Sequence, residues 1–126
     1  MKDLFVPYEI AVQLKELGFN ERCFGFYELE KLVISTWRMN VNSCLEIDFE
    51  EGKPRITAPT FSQAFRFFRD KCEIYYTIEG SKKFEFQHFI YDEKESYEIK
   101  SEETFKDYEE AELACLNKLI EIVKNK

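Results

Sequence analysis

The stretch APTFSQAFRFFRDK, residues Ala58–Lys71, carries four phenylalanines and two arginines. It suits either a nucleic-acid-binding element, with rings to stack on bases, or a helix of the protein core. Thr60 and Gln63 have the spacing of a capping box directly after Pro59, which predicts that a helix begins here. The apolar residues recur at helical spacing and form one core-facing stripe. The stripe comprises Phe61, Ala64, Phe65, Phe68 and Cys72.

Three residues of this helix lie outside the stripe and leave a question open. Phe67 lies at its margin, where it either completes the core or stays half exposed, and Arg66 and Arg69 lie on the other flank. Base-stacking modules display their rings on an exposed sheet or groove beside basic residues, so the pattern favours a core helix. Nucleic-acid binding through Arg66, Phe67 and Arg69 is the alternative.

Two alternating segments follow this helix. EIYYTIE (73–79) and KFEFQHFIYD (83–92) each place apolar side chains on one face, and the short GSKK link predicts an antiparallel hairpin. SYEIK (96–100) is interpreted as an added edge strand. His88 shares its predicted strand face with Phe84, Phe86 and Ile90.

Helices are predicted at both ends of the chain. In PYEIAVQLKELGF (7–19), Gly18 stands where a left-handed residue ends a helix. In DYEEAELACLNKLIEIVKNK (107–126), Asp107 and Glu110 have capping-box spacing ahead of a long apolar stripe. Both segments predict amphipathic helices that pack on a core.

The region between the first two helices is rich in strand-forming residues. KLVIST (31–36) and CLEIDFEEG (44–52) predict two strands joined around MNVNS (39–43), and RCFGFYELE (22–30) is a candidate for another. The order of elements is α-β-β-α-β-β-(β)-α. It predicts an α+β protein, a single globular domain over residues 1–126, with three helices packed on one antiparallel sheet of about four to five strands.

The charge of the chain argues against nucleic acid as a partner. The chain has 126 residues and a net charge of −7, from 25 acidic and 18 basic residues. Residues 92–112 hold ten acidic and three basic residues, so this run alone carries a net charge of 3 − 10 = −7. We interpret it as an acidic face or a docking surface for a basic partner. Mimicry of DNA would require about one charge per 1.7 Å of axis, which this run does not approach.

Four cysteines stand far apart, at positions 23, 44, 72 and 115, with no Cys-x-x-Cys pair. This spacing predicts reduced, mostly buried thiols and no zinc site. The first residues, MKDLFVPYEI, lack the apolar region of a signal peptide, and no segment has 18 uninterrupted apolar residues. The sequence therefore predicts a cytoplasmic protein with no membrane contact.

No catalytic, metal-binding or cofactor-binding residue is predicted. His88, the single histidine, is interpreted as a partly buried side chain with one hydrogen-bond partner, and a hydrolase with a Cys–His dyad is the alternative. Glu46, Asp48 and Glu50 line one face of a predicted strand, as alternation produces on any solvated face; a shared cation or an acid/base pair is the other possibility. The four glycines form no phosphate loop.

Three segments, VPYEIAVQLKELGFNE, APTFSQAFRFFRDK and TFKDYEEAELACLNKLIEIVK, resemble a group of small uncharacterised proteins encoded by phages and prophages of gut bacteria. The ending YEEAELACLNKLIEIVK is the most specific of the three. The resemblance covers about half of the chain. It implies a cytosolic protein of the infected or lysogenic cell, and it carries over no site residue.

The function predicted from these observations is a non-catalytic protein-interaction module or a homo-oligomer, for example a homodimer. Its surface is predicted from aromatic residues in excess of one core and from the arginines of the central helix. The candidate interaction residues are Trp37, Arg66, Phe67, Arg69, Phe89 and Tyr91. A nucleic-acid-binding accessory protein and an unrecognised hydrolase are the other two hypotheses.

Overall fold

The computed structural model describes residues 2–42, 55–80 and 85–126. The chain divides into two compact units, Met1–Ala64 and Phe65–Lys126, with the division inside the central helix. The first unit holds a short 3-10 helix (Lys2–Leu4), α1 (Tyr8–Glu16) and strands β1 (Cys23–Glu28), β2 (Lys31–Met39) and β3 (Arg55–Ala58); α2 (Phe61–Cys72) follows. The second unit holds β4 (Ile74–Gly80), β5 (Phe86–Asp92), β6 (Tyr97–Lys100) and α3 (Tyr108–Lys124).

The α+β class is confirmed, but the strands are distributed differently from the prediction. The described strands form two three-stranded antiparallel sheets, β2-β1-β3 and β4-β5-β6, instead of one sheet of four to five strands. The candidate strand in residues 22–30 is confirmed as β1. The predicted strand over residues 44–52, with Glu46, Asp48 and Glu50, lies outside the described residues. The prediction of one globular domain stays a prediction.

The inner face of the first sheet is covered by the N-terminal segment. Cys23 and Tyr27 are buried on that face of β1, and Gly25 lies between them. A Cβ atom on Gly25 would come within 2.7 Å of the Phe5 ring, so only glycine allows this approach. The Tyr27 hydroxyl donates a hydrogen bond to the Val6 carbonyl at 2.7 Å. These contacts leave the other face of the sheet, with Phe24 and Phe26, pointing outward.

Helix α1 ends as its sequence predicts. Gly18 has φ of 100°, the left-handed region that residues with a Cβ rarely adopt. The Phe19 N–H donates to the Leu14 carbonyl at 2.9 Å and the Gly18 N–H to the Lys15 carbonyl at 3.0 Å. This pair of bonds is the Schellman motif, which satisfies carbonyls at the end of the helix.

Helix α2 begins with the predicted capping box. The Gln63 N–H donates to the Thr60 hydroxyl oxygen at 3.2 Å, and the Thr60 N–H donates to the Gln63 side-chain oxygen at 3.1 Å. The same spacing at the start of α3 gives a different result, because Asp107 makes no side-chain capping bond. The prediction of a capping box at Asp107 and Glu110 is therefore wrong. Both residues are exposed, so the N–H groups at this helix end are accessible to water and do not require a side-chain cap.

The second unit contains the predicted hairpin. Strands β4 and β5 pair from Ile74 opposite Asp92 to Gly80 opposite Phe86, and β6 pairs along the other side of β5. The chain after β6 continues beside β5, since Phe86 and Phe105 exchange backbone hydrogen bonds of 2.7 and 2.8 Å. Helix α3 buries one apolar stripe, as predicted. The buried residues of that stripe are Ala111, Cys115, Leu116, Leu119, Ile120 and Ile122.

Candidate functional site

The predicted interaction residues differ in exposure. Trp37 on β2 is 78% exposed, and Arg66 and Arg69 on α2 are exposed as well. Tyr91 on β5 is 45% exposed, whereas Phe89 is half-buried. Phe67 is buried, with 6% exposure. Four of the six predicted residues are therefore accessible, Phe89 is partly accessible and Phe67 is not.

The burial of Phe67 settles the question that the sequence left open. Its ring packs edge to face against Phe68, with centroids 5.4 Å apart, and it widens the buried stripe of α2. Arg69 lies 3.3 Å from the carboxylate of the neighbouring Asp70, and both side chains are about half exposed. The nucleic-acid hypothesis relied on the Phe67 ring between Arg66 and Arg69 as its stacking group, and this ring is not accessible.

Phe89 and Tyr91 are brought together on the outer face of the second sheet. Tyr91 pairs with Tyr75 across β4 and β5, and Lys100 lies opposite Phe89 with its ammonium 5.9 Å from the ring centroid. Tyr75, Phe89 and Tyr91, together with Glu98, line a shallow depression of about 220 Å³. The aromatic rings on this face are partly exposed to solvent, and hydroxyl and charged groups surround them.

Five of the ten exposed large hydrophobic residues in the described part of the chain lie on the β1–β2 hairpin. We use the name hairpin surface for these residues, which are Phe24, Leu29, Val33, Ile34 and Trp37, with exposures of 45%, 57%, 39%, 39% and 78%. Val33 lies opposite Phe26 and Ile34 lies opposite Gly25, so these two side chains point to opposite faces of the hairpin. The strand pairing shifts between Gly25, which lies opposite Ile34, and Cys23, which lies opposite Met39. Four residues of β2 thus face one residue of β1, and Trp37 lies in this irregular segment. A bulge of this kind turns a side chain away from the regular alternation.

Arginines hold the outward-facing rings of β1 in place. The guanidinium of Arg38 lies 5.9 Å from the Phe24 ring centroid, and that of Arg55 lies 5.5 Å from the Phe26 ring centroid. Arg55 also forms an ion pair of 2.6 Å with Glu28. Such cation–π contacts order the rings while leaving one face of Phe24 open to water.

Sequence reasoning identified Trp37 but missed the other four residues of the hairpin surface. The signal was present in KLVISTW, where Leu32, Val33 and Ile34 follow one another. In a strand, consecutive apolar residues point to opposite faces, so some of them lie on the face that the rest of the protein does not cover. A consecutive run in a strand with only one covered face predicts exposed apolar residues.

A second cluster surrounds His88 in the second unit. The His88 N–H donates to the Ser101 hydroxyl oxygen at 3.1 Å, and the Ser101 N–H donates to the His88 carbonyl at 2.9 Å. The imidazole is 5% exposed and lies nearly parallel to the Phe105 ring, with centroids 6.1 Å apart. Burial, and then the charge of Lys118, lowers the pKa of His88, so the ring is neutral at pH 7.

The sequence predicts one hydrogen-bond partner for the His88 imidazole, and its Nδ1 atom has none among the residues that the structure describes. Within the described part of the chain, the buried Nδ1 atom of His88 has no hydrogen-bond partner. An unpaired polar atom in a buried position is uncommon, since its desolvation is not compensated. The sequence could not have indicated this, because the partner would come from a distant segment.

The cysteines that the structure describes do not supply a nucleophile. Cys23, Cys72 and Cys115 are free thiols, as predicted, while Cys44 lies outside the described residues. Burial raises the pKa of both Cys23 and Cys115 to about 12, and burial also raises the pKa of Cys72. At neutral pH these thiols are protonated, so none of the three is an activated thiolate.

Among residues 2–42, 55–80 and 85–126, no three His, Cys, Asp or Glu side chains are grouped closely enough to hold a metal ion. None of the helices in these ranges is both long and apolar enough to cross a membrane. Comparison of the chain with protein-family models, with curated proteins and with solved structures gave no significant match.

Proposed function

We propose that this chain is a non-catalytic protein-interaction module and that the hairpin surface is its contact surface. The observation that carries the proposal is the exposure of Trp37, the only tryptophan of the chain, at 78%. Tryptophan is strongly enriched among the residues that dominate the binding energy of protein interfaces. Single exposed apolar residues are ordinary, but an exposed tryptophan accompanied by exposed Phe24 and Val33 on the same hairpin is typical of an interaction site.

The local charge of the hairpin permits a second copy of the chain as the partner. Two molecules of net charge −7 repel each other, so they approach most easily through a surface that is not acidic. Residues 22–39 hold the basic Arg22, Lys31 and Arg38 and the acidic Glu28 and Glu30, a net charge of 3 − 2 = +1. The hairpin surface therefore combines exposed apolar groups with a low net charge, and we infer a homodimer formed through it.

Self-association is tested by sedimentation equilibrium over a wide range of protein concentration. The wild-type chain is expected to dimerise, and Trp37→Ala is expected to weaken the dimer by roughly tenfold or more, since tryptophan anchors contribute about 2 kcal/mol or more. The single tryptophan adds a direct measurement. Its fluorescence emission is expected to shift to shorter wavelength as dimers form and the indole leaves water.

The matched control is Tyr91→Ala, which removes an exposed aromatic side chain from the second sheet. This variant should dimerise like the wild type. A chain that stays monomeric at all concentrations, or a Tyr91→Ala variant as weak as Trp37→Ala, would contradict the assignment of the surface.

The resemblance to phage and prophage proteins supports a place for this module in the cytoplasm of an infected or lysogenic bacterial cell. The nucleic-acid alternative keeps the exposed Arg66 and Arg69 but has no ring beside them, because Phe67 is buried. We therefore favour protein binding.

A further inference from the structure

A groove of about 600 Å³ lies in the second unit, between helix α3 and the segment that follows β6. We call it the His88 groove. His88, Ser101 and Phe105 lie on its β5–β6 side, and Asn117 and Lys118 of α3 lie on the other. Its rim carries the carboxylates Glu102, Glu103 and Glu121.

The charges around the groove are not balanced. Lys118 lies 3.4 Å from a carboxylate oxygen of Glu121, which neutralises that pair, and the Lys100 ammonium lies over the Phe89 ring. Glu102 and Glu103 form no salt bridge with any residue that the structure describes. Both belong to the run 92–112, whose net charge is −7. The charged residues that line the groove are three glutamates and two lysines, a net charge of 2 − 3 = −1, which favours a cation over an anion.

His88 lines the groove and has a buried nitrogen atom, Nδ1, without a hydrogen-bond partner in the described part of the chain. A neutral imidazole has one N–H and one acceptor nitrogen, so Nδ1 is the acceptor in the tautomer that carries its proton on Nε2. Because His88 is only 5% exposed, hydrogen bonds to water compensate little of the cost of burying its ring. A ligand that brings N–H donors into the groove would satisfy this nitrogen.

We propose that the His88 groove binds a guanidinium group, carried by an arginine side chain of a basic ligand. Glu102 and Glu103 supply the opposite charge, the planar cation lies against the Phe105 ring, and one of its five N–H groups donates to His88. Nδ1 has almost no exposed surface in the free protein, so the imidazole rotates about its Cβ–Cγ bond to present it. A basic peptide fits the acidic surroundings of the groove.

The proposal is independent of the proposed dimer, because the hairpin surface belongs to the other unit. The single histidine gives a direct measurement, since its imidazole carbon and nitrogen signals in NMR spectra have no overlap from other histidines. Arginine amide and the capped peptide Gly-Arg-Gly are titrated against the Trp37→Ala chain, so that dimerisation does not interfere. Citrulline amide, which is uncharged, and acetate, an anion, are the comparison probes.

Both arginine probes are expected to shift the His88 signals in a saturable way, with the Nδ1 signal moving as it accepts a hydrogen bond. The double variant Glu102→Gln/Glu103→Gln should weaken binding by roughly fivefold or more, because each exposed charge pair contributes up to about 1 kcal/mol. The control Glu109→Gln/Glu110→Gln changes the net charge equally but lies in the first turn of α3, away from the groove lining, and should bind like the wild type.

Several outcomes would overturn the proposal. These are the absence of a saturable shift with either arginine probe, an equal response to citrulline amide, or a response to acetate instead. Equal weakening by the control double variant would show that the acidic run attracts cations diffusely and that the groove itself is not the site. Tighter binding of the peptide than of arginine amide would identify a peptide as the source of the guanidinium.

Discussion

The side chain of Asp92 is fully buried at the end of β5 and is held by three contacts. Its Oδ1 atom accepts hydrogen bonds from the N–H groups of Lys94 and Glu95 at 3.1 and 3.2 Å, and the Lys126 ammonium lies 2.6 Å from Oδ2. Burial raises the pKa of Asp92, but Lys126 and the two N–H groups outweigh it and lower the pKa below its usual range. The same pair raises the pKa of Lys126. The ion pair thus connects Lys126, which follows α3, to strand β5.

This pair predicts acid sensitivity. Because the folded-state pKa of Asp92 is lowered from 3.8, its contribution to the free energy of unfolding is complete above that pH and is lost as the pH falls through the folded value. Lys126→Ala leaves a buried carboxylate with two backbone partners. We expect the free energy of unfolding at pH 7 to fall by about 1–2 kcal/mol, less than for a fully buried pair because the lysine side chain is one-third exposed. We also expect the variant to unfold in acid at a higher pH than the wild type. Urea denaturation at several pH values measures both effects.

Lys106→Ala is the control for this prediction, since it removes the same charge from an exposed position. It should leave the acid midpoint where it is in the wild type. If both variants lowered the stability equally, net charge and not the buried pair would be responsible.

The sequence left open whether Phe67 is buried or half exposed, and in the structure it is buried. Helical geometry places this residue at the margin of the apolar stripe, where burial depends on how far the neighbouring elements extend. Phe65 contacts Tyr76 of β4 in a stacked pair with centroids 3.9 Å apart, and Phe67 packs on Phe68. The width of the stripe is thus decided by what packs against α2, which no local pattern reveals.

At the scale of elements, the β1–β2 turn is the feature that local reasoning could not find. Leu29 and Glu30 have φ of 50° and 66°, so both central residues of this two-residue turn adopt the left-handed region. Turns of this type ordinarily contain Asn-Gly or Asp-Gly, since a Cβ atom strains such a backbone. The pairing of the strands on either side holds Leu29 and Glu30 in this conformation despite the strain.

Relief of this strain is expected to stabilise the first unit. Glu30→Gly should raise the free energy of unfolding by about 1 kcal/mol, because glycine adopts a positive φ without a steric penalty. Glu30→Ala retains the Cβ atom and should change stability little. Chemical denaturation at low protein concentration compares the three chains. A destabilised Glu30→Gly variant would show that the Glu30 side chain contributes more than its backbone strain costs.

At the scale of the whole molecule, net charge governs association. Each chain carries −7, and the Debye length falls from about 30 Å at 0.01 M salt to about 3 Å at 1 M. If dimers form through two hairpin surfaces, added salt screens the repulsion between the remaining acidic surfaces. The dissociation constant measured by sedimentation should then decrease severalfold across this range.

The opposite salt dependence has a clear structural meaning. A dissociation constant that rises with salt would indicate that the basic groups of one hairpin contact the acidic run 92–112 of another copy. Such a contact joins different surfaces, so it would build chains or rings instead of a two-fold dimer. The two arrangements are therefore distinguished by the sign of one slope.

The two separate sheets show the limit of strand prediction. Alternation of apolar residues identified β4 and β5 and their buried faces, and SYEIK, interpreted as an edge strand, is β6. In β4 the side chains of Ile74, Tyr76 and Ile78 are more buried than those between them. Alternation contains no information on which strands are neighbours, so it did not separate β1–β3 from β4–β6. Pairing partners are selected by long-range contacts and by turns such as Leu29–Glu30.

The sequence by itself determined the helices, the α+β class and the inward faces of the β4–β5 hairpin. These follow from short-range causes: the Gly18 cap, the Thr60–Gln63 box and apolar periodicity all act within a few residues of the chain. Only the tertiary structure decided that the strands form two sheets, that Phe67 is buried while Trp37 is exposed, and that His88 meets Ser101 and Phe105. Exposure and side-chain partners depend on segments far apart in the chain, which only the folded chain brings into contact.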